Sequence, residues 1–85
     1  MSGTAKGITE RQVVLGRRVK ERRNLMGIGQ ERFALNAGLH RTYVTSLERG
    51  MRNPSIETLC KVAVALGCDV ADLVQGLQKE SGRID

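Results

Sequence analysis

Hydrogen-bonding side chains recur at helical spacing between residues 41 and 49. At roughly 100° per residue they share one face of a helix, opposite an apolar stripe of Val44 and Leu47. The residues of this outer face are Arg41, Thr42, Tyr43, Thr45, Ser46 and Arg49. The face carries no acid, so it would not repel phosphate, and its hydroxyl and guanidinium groups can hydrogen-bond to base edges in a DNA major groove. We predict that all of them except Arg49 contact bases, although Tyr43 could equally cover the edge of the core.

A glycine-centred turn precedes this helix. Gly38 can adopt the positive φ that ends a helix, and the small Ala34 and Ala37 let a second helix cross nearby. Leu39 can then tuck beneath the turn. We predict two short helices, at residues 30–37 and 41–49, joined as a helix-turn-helix unit.

A capping-box signature predicts another helix ahead of this unit. Thr9 is followed three residues later by Gln12, which starts helix 1 at Glu10 and extends it to about Met26. The apolar residues available to the core are Val13, Leu15, Val19 and Met26. We expect a flexible arm at residues 1–8, one domain at 9–79 and a polar tail at 80–85.

Two more helices follow the unit. Ser55 caps helix 4, Gly67 ends it, and Asp69 caps helix 5. The predicted buried face of helix 4 contains Ile56, Leu59, Cys60, Ala63 and Leu66, and the apolar positions of helix 5 are Val70, Leu73, Val74 and Leu77. Cys68 is expected to pack as well. The predicted fold is therefore all-α, with five helices.

The charge of the 85-residue chain is uneven. Residues 1–53 hold 11 Lys and Arg against four Asp and Glu, whereas residues 54–85 hold three against five. The basic part suits a polyanion, and the outer face of the helix at residues 41–49, helix 3, favours DNA over RNA or anionic lipid. Because no apolar run exceeds the five residues from Val62 to Leu66, we expect no membrane segment, a cytoplasmic location and reduced cysteines.

The inventory of reactive side chains argues against an enzyme. The chain has one His, two Cys without a base in the same motif, and no carboxylate pair in a recognisable catalytic context. His40, Cys60 and Cys68 lack the spacing of zinc ligands. We expect no cofactor, no metal and no small-molecule ligand.

Several motifs between Leu15 and Leu77 resemble the lambda-repressor-like, or XRE-type, helix-turn-helix family. They are Gln30-Glu31, Ala34, Ala37-Gly38-Leu39, Val44, Leu47-Glu48-Arg49-Gly50, Asn53-Pro54-Ser55 and the run from Leu59 to Leu66. Residues 39–55 are most similar to the controller proteins of restriction–modification systems, whose recognition helix often carries Arg-Thr-Tyr. The resemblance implies a five-helix domain and a sequence-specific transcriptional regulator, autoregulatory in the controller case. His40 departs from the family, which usually has Asp, Ser or Thr as this cap.

The resemblance also implies roles for residues outside the outer face. It places Arg23 against Glu48 as a structural ion pair, and it places Gln30 on a DNA phosphate, where the helix dipole favours an anion. Further phosphate contacts are assigned to Arg17, Arg49, Arg52 and Asn53.

Five helices carry more apolar surface than one small core can cover, and operators of this class have twofold symmetry. We therefore expect a homodimer on a pseudo-palindromic operator in double-stranded DNA. Its expected interface is helix 5, at Val70, Leu73, Val74 and Leu77, together with the end of helix 4. Two alternatives stay open. One is an antitoxin or adaptor of the same fold whose main partner is another protein, and the other is a non-specific architectural DNA binder.

Overall fold

Five α-helices and a short 3-10 helix make up residues 7–80, the part of the chain that the computed structural model describes. The elements are α1 Glu10–Leu25, α2 Gln30–Ala37, α3 Arg41–Glu48, α4 Ile56–Leu66, α5 Val70–Val74 and the 3-10 helix Leu77–Lys79. The predicted all-α fold is confirmed. None of these helices has the length and apolarity needed to cross a bilayer. The predicted arm and tail lie outside the described residues, except for residues 7, 8 and 80.

Side-chain hydrogen bonds mark the starts of α1 and α4, and at α5 the N–H of Asp69 donates to Asp72 Oδ2 at 2.9 Å. The Thr9 hydroxyl accepts a hydrogen bond from the Gln12 N–H at 3.3 Å, and the Thr9 N–H donates to Gln12 Oε1 at 3.1 Å. This is the predicted capping box. The Ser55 hydroxyl likewise accepts from the N–H of Thr58 at the start of α4. The helices α1 and α4 therefore begin where short-range signals predict.

The turn between α2 and α3 depends on Gly38. This residue has φ +69°, which lets the N–H of Leu39 donate back to the Ala34 carbonyl at 2.9 Å. Ala34 and Ala37 are buried, as predicted. His40 makes no side-chain hydrogen bond to the start of α3, so α3 is held by its buried side chains rather than by its cap.

Each α-helix supplies at least one large side chain to the core. The largest fully buried side chains are Val19, Phe33, Val44, Leu47, Val62 and Leu73. Burying a side chain of this kind stabilises a fold by about 1.5–3 kcal/mol. α1 contacts α3, α4, α5 and the 3-10 helix, and α2 packs against α3 and α4.

Backbone meets backbone where α1 crosses the end of α3. A methyl group on Gly16 would overlap the Leu47 carbonyl oxygen and would lie 2.9 Å from the Gly50 nitrogen. Gly50, at φ +80°, faces the backbone of Val13 in the same way. Glycine at both positions allows α3 to dock closely on α1.

The predicted buried face of α4 is wrong at Ile56 and Cys60, which are exposed. The buried positions of α4 are Leu59, Val62, Ala63 and Leu66. At about 100° per residue, Cys60 lies about 60° beyond Ala63. The side of α4 that packs against α1, α2 and α5 is the buried side. Ile56, Cys60 and Val64 lie away from this side and are exposed.

Two predicted helix ends also differ. Met26 is 45% exposed, because α1 ends at Leu25 and the chain turns at Gly27 with φ +71°. Helix 5 stops at Val74, because Gly76 takes φ +77°, and Leu77 begins the separate 3-10 helix.

Two arginines of α1 fasten this C-terminal segment. Arg18 Nη1 donates to the carbonyls of Leu73 at 3.0 Å and Gln75 at 2.8 Å, and Arg11 Nε donates to the Leu77 carbonyl at 2.9 Å. Arg18 lies in the basic part of the chain, residues 1–53. In this structure its guanidinium has a structural role.

Gly16→Ala should lower the free energy of unfolding by about 1–3 kcal/mol, because the added methyl has no room against the backbone of α3. Urea denaturation followed by circular dichroism measures the change. Asn24→Ala, on the exposed surface of α1, is the control and should leave stability unchanged or slightly raised. If the two variants were equally stable, the α1–α3 crossing would have spare room.

Candidate nucleic-acid interface

α3 turns an apolar face inward and a polar face outward. Val44 and Leu47 are buried. The exposed or partly exposed residues of α3 and its C-cap are Arg41, Thr42, Tyr43, Thr45, Ser46 and Arg49. Both faces therefore match the predicted pattern. Glu48, the acid of α3, is buried, so the outer face presents no carboxylate.

The buried carboxylate of Glu48 is paired with Arg23 of α1. Arg23 Nε donates to Glu48 Oε2 at 2.6 Å, and Nη2 donates to Oε1 at 2.9 Å. The remaining terminal nitrogen, Nη1, donates to the Ile28 carbonyl at 2.8 Å. The ion pair implied by the family resemblance is thus present, in bidentate form, and it ties α1 and the α1–α2 turn to α3.

The pair keeps both groups charged. Burial alone would raise the pKa of Glu48, but hydrogen bonds from Arg23 and Gln30 and the positive charge of Arg23 outweigh it and hold the pKa below its ordinary value. The hydrogen bond to Glu48 raises the pKa of Arg23 above its ordinary value. The negative charge of α3 is therefore neutralised inside the protein.

Gln30, the first residue of α2, joins this pair to the outer face. Its Nε2 donates to Glu48 Oε1 at 3.0 Å, and its Oε1 accepts from the Thr45 hydroxyl at 2.9 Å. The Thr45 hydroxyl also lies 3.1 Å from the Arg41 carbonyl. Sequence reasoning considered Gln30 and Thr45 as separate DNA contacts and did not pair them.

Arg52 folds back onto the outer face of α3. Its guanidinium carbon lies 5.1 Å from the centroid of the Tyr43 ring, and its Nε donates to Ser46 Oγ at 3.0 Å. Ser46 Oγ in turn donates to the Thr42 carbonyl at 3.0 Å. The Tyr43 ring also packs against the core, so it covers the core edge and supports an arginine at once.

The residues assigned to phosphate lie at two places around α3. Arg49, Arg52 and Asn53 are exposed at its C-terminal end. Arg17 is exposed beside Gly16, whose backbone meets that same end. Gln30 lies elsewhere, beside Thr45. The structure therefore flanks the outer face of α3 with cationic and amide groups.

The cysteines lie apart from this surface chemistry. Both are free thiols, Cys60 is exposed, and burial raises the pKa of Cys68, which packs against the core as expected. Among residues 7–80, no group of three or more His, Cys, Asp and Glu side chains is arranged to hold a metal ion.

The fold and the two-faced α3 define a helix-turn-helix protein. A family model described as helix-turn-helix matches residues 19–73, and the chain belongs to this family of DNA-binding transcriptional regulators. Proteins similar to this chain include restriction–modification controller proteins and a biofilm regulator.

The control protein C.SmaI of Serratia marcescens is 42% identical over 71 residues, covering 81% of this chain and 84% of that protein. Among solved structures, the restriction–modification controller protein C.AhdI from Aeromonas hydrophila has a TM-score of 0.71 at 40% identity, covering 73% of this chain and 94% of that chain. The biofilm master regulator SinR, in complex with DNA, has a TM-score of 0.69 at 35% identity, covering 72% of this chain and 98% of that chain. The resemblance to controller proteins is confirmed.

Glu48→Gln should lower the free energy of unfolding by about 3–5 kcal/mol, because it leaves Arg23 charged and without its ionic partner in the interior. Urea denaturation at pH 7 measures this. Glu21→Gln removes an exposed carboxylate of α1 and should change stability by less than about 1 kcal/mol. Equal stability of the two variants would reduce the pair to a surface contact.

The difference in unfolding free energy between the wild type and Glu48→Gln should also depend on pH, in a direction set by the pKa of Glu48. Because the folded-state pKa of Glu48 is lowered, its stabilisation is complete above the unfolded-state pKa of about 4.3 and is lost as the pH falls through the folded-state value. The stability gap between wild type and Glu48→Gln should be constant near neutral pH and should shrink in acid. A gap that widens in acid would contradict the lowered pKa.

Proposed function

We propose that the protein binds a pseudo-palindromic DNA operator as a homodimer and acts as an autoregulatory controller of a restriction–modification system. The observation that supports this best is the acid-free outer face of α3, held by buried Val44 and Leu47 and by the internal neutralisation of Glu48. The similarity to a restriction–modification controller and to SinR, whose structure contains DNA, adds support. Such a regulator meets its operator in the cytoplasm, and its role needs binding without a catalytic step.

Arg41 is the residue best placed to read a base. It is the first residue of α3 and is exposed, and the N-terminal end of a recognition helix reaches base edges. Its planar guanidinium matches the paired O6 and N7 acceptors of guanine. Thr42, exposed beside it, is short and would contact bases or thymine methyls only at close approach.

The other residues proposed to contact bases have fewer groups available for DNA, because they are already engaged within the protein. The hydroxyl hydrogens of Thr45 and Ser46 are donated within the protein, to Gln30 and to the Thr42 carbonyl. Their remaining contacts with bases are through lone pairs and carbon atoms. Tyr43, under Arg52, is better suited to the sugar–phosphate wall than to a base edge.

Phosphates would be held on both sides of the recognition helix. Gly29 provides no side-chain cap to α2, which leaves N–H groups of its first turn open to an anion beside Gln30. Arg49, Arg52 and Asn53 are exposed at the C-terminal end of α3, and Arg17 is exposed beside Gly16. These contacts position the protein on DNA and carry no sequence information of their own.

The operator can be obtained by selecting bound duplexes from a random pool and footprinting the region upstream of the protein's own gene. We expect half-sites about 10 bp apart, a guanine in each, and a site in that upstream region. Equal binding of selected and scrambled duplexes would favour an architectural binder. A distinct protein co-purifying at unit stoichiometry would favour the adaptor alternative.

Arg41→Ala should weaken binding to the selected operator by about 1–3 kcal/mol per half-site and relax the preference at the guanine. Binding to a scrambled duplex should fall far less. Fluorescence anisotropy at fixed salt measures both. Arg49→Ala is the control, because loss of a phosphate contact should weaken both duplexes alike. If Arg41→Ala behaved like Arg49→Ala, Arg41 would be a phosphate contact and sequence would be read elsewhere.

The predicted dimer interface needs one correction. Leu73 is 0% exposed within the monomer, so its side chain has no surface left for a partner. Val70, Val74 and Leu77 are partly buried and pack against the core. Val64, 80% exposed at the end of α4, offers more free apolar surface than any of them. We therefore propose an interface of Val70, Val74 and Leu77 with the end of α4.

Val64→Glu should yield folded monomers with poor operator affinity, because the charge would be desolvated in the dimer but solvated in the monomer. Leu25→Glu, at a site that is 88% exposed at the end of α1, is the matched control and should stay dimeric. Sedimentation equilibrium and melting temperature separate dissociation from unfolding. A dimer that survives Val64→Glu would exclude the end of α4, and a monomeric wild type at tens of micromolar would refute the homodimer.

A further inference from the structure

Both polar atoms of the Gln30 amide are engaged within the protein. Oε1 accepts from Thr45 and Nε2 donates to Glu48. A glutamine at the partly exposed start of a helix would otherwise rotate among several conformers. The two hydrogen bonds therefore hold this amide in one orientation.

The orientation follows from the charge of Glu48. A carboxylate only accepts hydrogen bonds, so the Gln30 nitrogen, and not its oxygen, must face it. Glu48 is itself fixed by the bidentate contact with Arg23, which is anchored on the Ile28 carbonyl. The Gln30 oxygen is thereby directed toward Thr45.

The Thr45 hydroxyl has one hydrogen and two nearby acceptors in the protein. They are Gln30 Oε1 at 2.9 Å and the Arg41 carbonyl at 3.1 Å. In either arrangement the hydrogen is not available to a base. This geometry conflicts with a role for Thr45 as a hydrogen-bond donor to bases.

We propose that Thr45 is a positioning residue, whose hydroxyl orients the Gln30 amide for a DNA phosphate and so sets affinity without reading sequence. With Oε1 turned to Thr45, the second Nε2 hydrogen is the group that can donate to a phosphate oxygen. Glu48 decides which end of the amide faces it, but without the Thr45 hydroxyl Oε1 loses its partner, so the amide is held at one end only and its second Nε2 hydrogen is no longer fixed toward the phosphate. This inference rests on the proposed DNA contact of Gln30.

The test is a double-mutant cycle of Thr45→Val and Gln30→Ala. Anisotropy is measured with the selected operator duplex and with a scrambled duplex of the same length. Thr45→Val should weaken both by about threefold to tenfold, the range expected for one hydrogen bond. In the Gln30→Ala background it should have no further effect. Thr45→Ser, which keeps the hydroxyl, should bind like wild type.

Thr42→Val is the matched control, because it removes an exposed hydroxyl from the same helix. Its effect should be confined to the operator and should add to that of Gln30→Ala. Selective loss of operator binding by Thr45→Val would make Thr45 a base reader. An equal loss with and without Gln30 would show that Thr45 acts independently. Either result overturns the proposal. If Thr45→Val does not fold, Thr45→Ala replaces it in the cycle.

The side-chain amide signals of Gln30 in NMR spectra test the geometry without DNA. In the wild type its two NH₂ hydrogens should differ in chemical shift from those of a free glutamine, and Thr45→Val should move them toward free values. Unchanged signals would overturn the positioning role. A wild type that shows the amide signature and binds neither duplex would instead refute the proposed function.

Discussion

The buried ion pair between Arg23 and Glu48 is the interaction on which the rest of the candidate site depends. A carboxylate beneath a surface that faces a polyanion has to be neutralised, and an unpaired buried charge is too costly to keep. One guanidinium meets this need and also binds the Ile28 carbonyl. The contact that neutralises α3 therefore also fixes the end of α1 and the approach to α2. A well-packed apolar pair could stabilise the fold as well, but it could not orient Gln30 through a hydrogen bond.

Several polar side chains near this pair bind one another and also lie on the candidate DNA-binding surface. Gln30 and Thr45 bind each other, Ser46 binds the Thr42 carbonyl, and Arg52 rests on Tyr43 and Ser46. Side chains that are already held lose less conformational freedom when a ligand arrives, which favours binding. The same internal bonds reduce the number of donors left for bases. This distribution supports our proposal that Arg41 and Thr42 read the bases and that the surrounding groups serve affinity and orientation.

The packing of α1 explains how so short a recognition helix is positioned. α3 has only eight residues and no side-chain cap, so its own hydrogen bonds hold it weakly. Burial of Val44 and Leu47 and the glycine contact with α1 at Gly16 supply the missing constraint. Arg11 and Arg18 then extend the role of α1 to the C-terminal segment. The basic residues of α1 are thus divided between internal fastening and the exposed surface, where Arg17 lies.

The sequence by itself determined the helix starts at Thr9 and Ser55, the turn at Gly38, the two faces of α3 and the family, because caps, glycine φ angles and helical periodicity act within a few residues. The partner of Glu48 was accessible only through resemblance. Tertiary structure alone decided that Cys60 is exposed and Val62 buried, that Arg18 fastens the C-terminal segment, and that Gln30 is held by Thr45. An apolar-rich helix such as α4 has several arcs that could be buried, and a long polar side chain has several partners within reach. Which one is used depends on neighbours from distant parts of the chain, and no local pattern encodes their positions.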